Sequence, residues 1–138
     1  MEYKKLQVYT DGGARGNPGP AGIGVVIWSG HDLVGRHSKY IGETTNNQAE
    51  YQAIIFGLEQ VKKLSAKEVE CFLDSELVVK QLNREYKVKD KDLAPLFVKV
   101  WNLSLSFKKI AFHHIPREEN KEADKLVNEA IDKFIRRK

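Results

Sequence analysis

The 138-residue sequence has a single cysteine, four prolines and no long hydrophobic run. A membrane helix needs roughly 18 consecutive apolar residues, so we expect no membrane association. Cys71 has no partner for an internal disulfide and is predicted to be a small core residue. The chain opens with Met1–Lys5 directly before a strand-like run, which predicts no signal peptide. The expected protein is therefore a cytoplasmic monomer.

Two common families of motif are also missing. The glycine-rich segment after the first apolar run contains neither Gly-Lys-Ser/Thr nor Gly-x-Gly-x-x-Gly, so it is not predicted to cradle a nucleotide phosphate. This weakens the case for a small-molecule nucleotide phosphatase. His113 and His114 lack metal-ligand spacing to another histidine or to cysteine, which argues against zinc.

The composition fits one domain covering residues 1–138. Hydrophobic residues make up 41% of the chain and charged residues 30%, as in ordinary globular proteins with a core. The net charge is +4. If several acidic residues gather in one metal-filled pocket, the remaining surface is more basic still and suits a phosphate-backbone partner.

Hydrophobic periodicity predicts an α/β fold. The predicted strands cover residues 5–11, 22–28, 33–41, 68–74 and 110–115. The predicted helices cover residues 45–64, 76–82, 92–107 and 120–135. Segment 12–21 is predicted to be an irregular glycine-rich turn. The order βββαβααβα predicts a five-stranded mixed sheet, strands 1–3 antiparallel, flanked by helices.

Four carboxylates have unusual positions in this pattern. Asp11 and Asp74 close two predicted strands, while Glu50 and Asp124 lie early in helices, on their buried sides. If the two strands are parallel neighbours, their ends meet where α/β sheets place ligands. A pair of such charges about 4 Å apart repels by roughly 4 kcal/mol at an effective dielectric near 20. An all-oxygen site of this kind predicts two Mg²⁺ ions, with Mn²⁺ as a substitute.

Each acid alone has a plain structural interpretation. Asp11 can start a turn, Glu50 can favour a helix N-terminus, and Asp124 can pair with Lys121 or Lys125. Their joint placement is what favours a metal site.

Four motifs in sequence order carry a resemblance to a known family. They are Thr10–Gly13 with Gly16–Gly22, Thr44–Glu50, Asp74–Ser75 and Asn120–Leu126. Together, over about residues 5–135, the chain resembles type 1 ribonuclease H, and in particular the shorter, archaeal-like branch. The resemblance implies the ribonuclease H-like fold and metal-dependent endonucleolytic cleavage of the RNA strand in RNA–DNA hybrids. Products would carry a 5′-phosphate and a 3′-hydroxyl.

The resemblance also implies roles for individual residues. Asp11, Glu50, Asp74 and Asp124 would be the metal ligands. Substrate-binding positions would be Gly12, Asn17, Thr45, Asn46 and Asn47. Of these, the three asparagines would contact the minor groove and Thr45 a phosphate of the DNA strand. Asn17 can equally build the turn before Pro18, and Asn46 can equally cap a helix.

The chain departs from the fuller family pattern in two places. A flexible Gly-His loop after the fifth strand is missing, and we expect Arg117 to act electrostatically there, with His114 as the rival. A basic protrusion is also missing, because segment 83–92 is short and alternates in charge. Weak, salt-sensitive substrate binding is therefore expected.

Two alternatives stay open at this point. The same chemistry could accept double-stranded RNA or RNA–DNA junctions, because A-form geometry is partly shared. A non-catalytic nucleic-acid-binding module is the other alternative, although all four carboxylates are present.

Overall fold

The computed structural model describes residues 3–137. Met1 and Glu2, on which the expectation about a signal peptide partly depends, lie outside this range. The strands are β1 (Tyr3–Ala14), β2 (Gly19–Ser29), β3 (Asp32–Thr44), β4 (Ala66–Leu73) and β5 (Lys109–His114). The helices are α1 (Asn46–Lys63), α2 (Glu76–Leu82), α3 (Ala94–Ser104) and α4 (Lys121–Arg136), with a 3₁₀ turn at Arg117–Glu119.

The five strands form one mixed sheet in the order β3-β2-β1-β4-β5. β1, β2 and β3 pair antiparallel, whereas β1–β4 and β4–β5 pair parallel. The predicted fold class and element order are therefore confirmed. β1 lies at the centre of the sheet, next to β4, which brings the ends that carry Asp11 and Asp74 side by side.

Helices cover both faces of the sheet. α1 packs on β1 and β2 and against α3, and its fully buried Tyr51, Ile54 and Leu58 contribute to the main hydrophobic core. α4 packs on the other face against β2 and β3, where Val26, Ala123 and Leu126 form a second cluster. Among residues 3–137, no helix is both long and apolar enough to span a membrane.

Some predicted boundaries are wrong in an informative way. The glycine-rich segment 12–21 was expected to be irregular, but β1 continues through Ala14 and β2 begins at Gly19, with Gly12 paired to Ile23. The partner strand supplies the hydrogen bonds that local propensity does not predict. The helix expected over 92–107 spans only Ala94–Ser104, and its proline lies in the first turn as expected.

α1 begins with a capping box. The Thr45 hydroxyl accepts a hydrogen bond from the Gln48 amide, and the Gln48 side chain accepts one from the Thr45 amide. This reciprocal pair satisfies two amides that have no partner within the helix. Because the helix starts at Asn46, Glu50 lies just beyond its first turn.

Candidate active site

Asp11 lies in β1, and Asp74 directly follows the neighbouring parallel strand β4. Tyr9 pairs with Phe72 across β1 and β4, and each carboxylate lies two residues further along its strand direction. Because side chains alternate along a strand, both carboxylates emerge on the same face. Asp74 is the first residue after β4, whereas Asp11 lies inside β1, which runs on to Ala14.

Glu50 reaches the same place from α1 on the opposite face. Helix and strand approach so closely that a Cβ atom on Gly12 would lie 2.1 Å from the Ala49 carbonyl oxygen. No side chain fits in this gap, so glycine is required. The Gly12 amide donates a hydrogen bond of 3.0 Å to Oε1 of Glu50, which fixes one end of that carboxylate.

Asp124 lies in the first turn of α4, and another glycine positions that helix. A Cβ atom on Gly24 would lie 2.1 Å from the carbonyl oxygen of Ala123. Gly24 pairs with Asp11 across β1 and β2, so this close contact places the start of α4 beside Asp11.

Three of the four predicted ligands meet closely. Asp11, Glu50 and Asp74 each offer a carboxylate oxygen, and these oxygens all lie within 4.8 Å of one another. Asp124 lies outside this group but lines the same cleft, whose volume is about 440 Å³. The buried Oε2 of Glu50 has no hydrogen-bond partner. A carboxylate that has one unpaired oxygen and lies close to two other carboxylates is suited to a hard divalent cation.

The electrostatics of the cluster agree with that fit. Burial and the neighbouring Glu50, Asp74 and Asp124 raise the pKa of Asp11 far above its usual range. Burial also raises the pKa of Glu50, although the Gly12 amide and the Arg117 charge oppose the increase. These raised pKa values favour proton binding in the cluster, and a cation would replace the bound proton.

Arg117 is the first basic residue after β5. It begins the 3₁₀ turn, is exposed, and lines the cleft together with the carboxylates. His114 is exposed at the end of β5 and does not line the cleft. Its neighbour His113 points elsewhere, with Nε2 3.0 Å from Glu70. Of Arg117 and His114, Arg117 is the one that lines the cleft, and its role there stays a prediction.

The predicted substrate-binding residues surround the junction of the glycine-rich loop and α1. Asn46 and Asn47 line the cleft. The Asn17 side-chain oxygen accepts a hydrogen bond of 3.0 Å from the Asn46 amide, and Oδ1 of Asn46 accepts one of 2.8 Å from the Ala14 amide. Thr45 serves as the helix cap. Asn46 is therefore not the cap of α1, and its side chain instead binds the end of β1 at Ala14.

The sequence indicated no role for two residues that the structure places at the site. Asn120 is 2% exposed and donates hydrogen bonds to Asp74 and to the Thr10 carbonyl. Arg15 lines the cleft and is held by Asp132 at 2.7 Å and by Asn128 at 3.3 Å. Asn120 precedes a helix, where asparagine is common as a cap, so the sequence carried no signal for its contact with Asp74.

Comparison with known proteins agrees with this geometry. A protein family described as reverse transcriptase-like matches residues 9–130. A bifunctional protein of Mycobacterium tuberculosis is 45% identical over 130 residues, which are 93% of this chain and 36% of that protein. The chain thus spans about a third of the length of the mycobacterial relatives that it matches.

Two solved structures are similar over nearly their whole length. RNase H1 of the halophilic archaeon Halobacterium salinarum has a TM-score of 0.91 at 41% identity, covering 94% of this chain and 98% of that one. LC11-RNase H1, isolated from compost and solved with an RNA/DNA hybrid, has a TM-score of 0.89 at 51% identity. That match covers 94% of this chain and 99% of the other. As its motifs predict, the chain belongs to the type 1 ribonuclease H family.

Proposed function

We propose that this chain is a divalent-metal-dependent endonuclease that hydrolyses the RNA strand of RNA–DNA hybrids. The observation that carries the proposal is the group of three carboxylates within 4.8 Å, with one buried oxygen left unpaired. Family membership supports it, and so does the RNA/DNA hybrid bound by LC11-RNase H1.

Asp11, Glu50, Asp74 and Asp124 would hold two divalent cations, with Mg²⁺ as the physiological ion and Mn²⁺ as a substitute. When bound, such ions supply an activated water and neutralise charge on the attacking and leaving oxygens of an in-line displacement. The donor set is entirely carboxylate oxygen, which is the chemistry that Mg²⁺ and Mn²⁺ prefer. Burial and the neighbouring carboxylates raise the pKa of Asp11, and the same gathered negative charge favours cation binding.

The remaining residues of the cleft would position the substrate. Arg117 is exposed at the rim, and its permanently charged guanidinium can pair with a backbone phosphate but cannot carry a proton at neutral pH. We assign it an electrostatic role in turnover. Hydrolysis would leave a 5′-phosphate on one product and a 3′-hydroxyl on the other.

The loop-to-helix junction would contact the minor groove of the hybrid. Asn46 and Asn47 line the cleft, and Asn17 is tied to the Asn46 amide. Neutral amides can form hydrogen bonds with 2′-hydroxyls and base edges without requiring one base sequence. This suits an enzyme that distinguishes RNA from DNA by the 2′-hydroxyl. Thr45 and the Gly12 backbone complete the proposed contact set.

The test offers four labelled substrates: the hybrid, double-stranded RNA, single-stranded RNA and duplex DNA with one embedded ribonucleotide. Each is incubated with Mg²⁺, Mn²⁺ or a chelator, and products are resolved by length and end group. We expect cleavage of the RNA strand of the hybrid that is lost with the chelator and in Asp74→Asn. Asp32→Asn, an exposed carboxylate at the start of β3, is the matched control and should retain activity.

The other outcomes identify the alternatives. Equal cleavage of double-stranded RNA or of the embedded ribonucleotide would broaden the substrate class. Binding of the hybrid without cleavage in either metal would overturn the proposal in favour of a non-catalytic module. Cleavage that Asp74→Asn leaves unchanged would place the active site elsewhere.

A further inference from the structure

Asn120 has the sequence position of a helix cap but does not act as one. It immediately precedes α4, and no side-chain capping hydrogen bond is made there. Asparagine at this position normally accepts a hydrogen bond from the helix amides. Instead the Asn120 side chain is turned inward and is 2% exposed.

The buried amide donates to two acceptors at once. Its Nδ2 lies 2.9 Å from the Thr10 carbonyl oxygen and 2.9 Å from Oδ2 of Asp74. Because both partners can only accept, the nitrogen and oxygen ends of this amide are assigned without ambiguity. The other end, Oδ1, is buried without a partner. A buried acceptor without a partner is unfavourable, so the two hydrogen bonds of the donor end must offset its cost.

The backbone carbonyl of Asn120 contacts a further proposed metal ligand, Asp124. The Asp124 amide donates a hydrogen bond of 3.1 Å to the Asn120 carbonyl. Thr10, which accepts from the side chain, immediately precedes Asp11 in β1. Asn120 therefore bonds directly to Asp74 and to the backbone beside Asp11, and it also receives the amide of Asp124.

We propose that Asn120 is a positioning residue that fixes the carboxylate of Asp74 in its orientation towards Asp11 and Glu50, and so maintains cation affinity. The inference rests on the proposed function, because it assumes that these carboxylates hold cations. A neutral amide suits this position, since it can hold one oxygen of Asp74 without neutralising its charge. A lysine or arginine there would compete with the cation.

The test measures cation binding directly. Asn120→Ser and Asn120→Leu are compared with the unaltered protein by calorimetric titration with Mn²⁺, without substrate. Loss of a residue that orients a metal ligand typically costs about 10–100-fold in metal affinity. We expect the Mn²⁺ dissociation constant to rise by a factor in that range, and the Mg²⁺ concentration for half-maximal hybrid cleavage to rise in parallel. The KM for the hybrid should stay nearly constant.

Asn120→Ser separates positioning from stability. Serine is favoured before a helix and can cap α4, but it is too short to bridge Thr10 and Asp74. We therefore expect its metal-free melting temperature to equal or exceed that of the unaltered protein while its Mn²⁺ affinity falls. Should Asn120→Leu fail to fold, Asn120→Ser still decides the question.

Gln81→Leu is the matched control. Gln81 is also a buried amide, 5% exposed, and accepts a hydrogen bond of 2.7 Å from the Tyr51 hydroxyl, away from the cleft. Its loss should lower the melting temperature and leave Mn²⁺ affinity unchanged. If both Asn120 variants bind Mn²⁺ as tightly as the unaltered protein, the inference is wrong. If the unaltered protein itself neither binds Mn²⁺ nor cleaves the hybrid, the proposed function fails instead.

Discussion

The variant Asp11→Asn should abolish the proposed hybrid cleavage and, at the same time, stabilise the metal-free protein. Asp11 is 7% exposed, and one of its carboxylate oxygens lies within 4.8 Å of an oxygen of Glu50 and of Asp74. Two unit charges at such a distance repel by about 3 kcal/mol at an effective dielectric of 20. Asp11 therefore either bears this repulsion or holds a proton that the unfolded chain releases, and an asparagine avoids both costs.

The effect depends on pH in a defined direction. Because its pKa is raised, native Asp11 keeps a proton that the unfolded chain releases. The metal-free protein therefore loses stability as the pH rises above about 4, by at most about 1.4 kcal/mol for each pH unit. Asparagine does not titrate, so the difference between the two proteins should be absent near pH 4 and grow towards neutrality.

The expected gain at pH 7.5 is about 2 kcal/mol, below the maximum because water and side chains relax around the cluster. For a chain of this length it corresponds to an increase in melting temperature of roughly 5–10 °C. Saturating Mg²⁺ should reverse the order. Bound cation stabilises the unaltered protein by about 2.7 kcal/mol at a hundred times its dissociation constant, whereas the variant should gain little.

The assay is thermal unfolding followed by circular dichroism at pH 4.5, 6 and 7.5, with Mg²⁺ or with chelator, beside hybrid cleavage. Cleavage by Asp11→Asn should fall at least about a hundredfold, since several kcal/mol of charge stabilisation is lost. Asp32→Asn serves as the control and should shift neither curve. A variant that melts below the unaltered protein at neutral pH, or that Mg²⁺ stabilises equally, would refute the charge-repulsion reasoning.

Four further results are expected. Arg117→Ala should lower turnover about tenfold with Mn²⁺ affinity nearly intact, because the arginine acts on phosphate rather than on the cation; unchanged turnover would refute that role. Gly24→Ala should destabilise by about 1–3 kcal/mol in a denaturant titration, because its Cβ would lie 2.1 Å from a helix carbonyl. Gly13→Ala, whose Cβ would meet only Val127 at 3.7 Å, is its control and should cost much less. Leu58→Ala, at a fully buried position, should cost about 2–5 kcal/mol with little change in Mn²⁺ affinity at a temperature where it is folded. Hybrid binding should weaken steeply between 50 and 200 mM salt, and a dissociation constant that stays nanomolar above physiological salt would contradict the reliance on backbone charge.

The sheet was predictable because its signals are local. Alternating apolar residues marked the strands, and the change to a helical period at Thr45 marked α1. The continuation of strands into the glycine-rich segment was not predictable, because glycine by itself disfavours a strand. The close approach of Ala49 to Gly12 is a property of the packed helix, and no property of residues 12–14 by themselves reveals it.

The site was predictable only as a set of residue types. That Asp11 and Asp74 would lie side by side followed from the parallel pairing of β1 with β4. That Asn120 bonds to Asp74 across 46 positions could not follow, since its own position favours a cap. Asp124 lies outside the close group of the other three, and no local signal in the sequence fixes how α4 packs against Gly24.

The carboxylates must be brought together during folding without losing their negative charge. Hydrogen-bond donors that orient them must therefore be neutral. Asp11 and Asp74 come from one face of the sheet and Glu50 from the other, so two layers must be packed before the charges meet. The Gly12 amide and the Asn120 amide each hold one oxygen, of Glu50 and of Asp74 respectively. Neither donor carries a charge, so the carboxylates keep their negative charge and can attract cations. A scaffold that holds like charges apart from water and close together sacrifices stability for affinity, which is the usual relation between stability and function at such sites. Replacing the Asn120 donor by a cationic side chain would neutralise part of this charge and weaken the cation site that it supports.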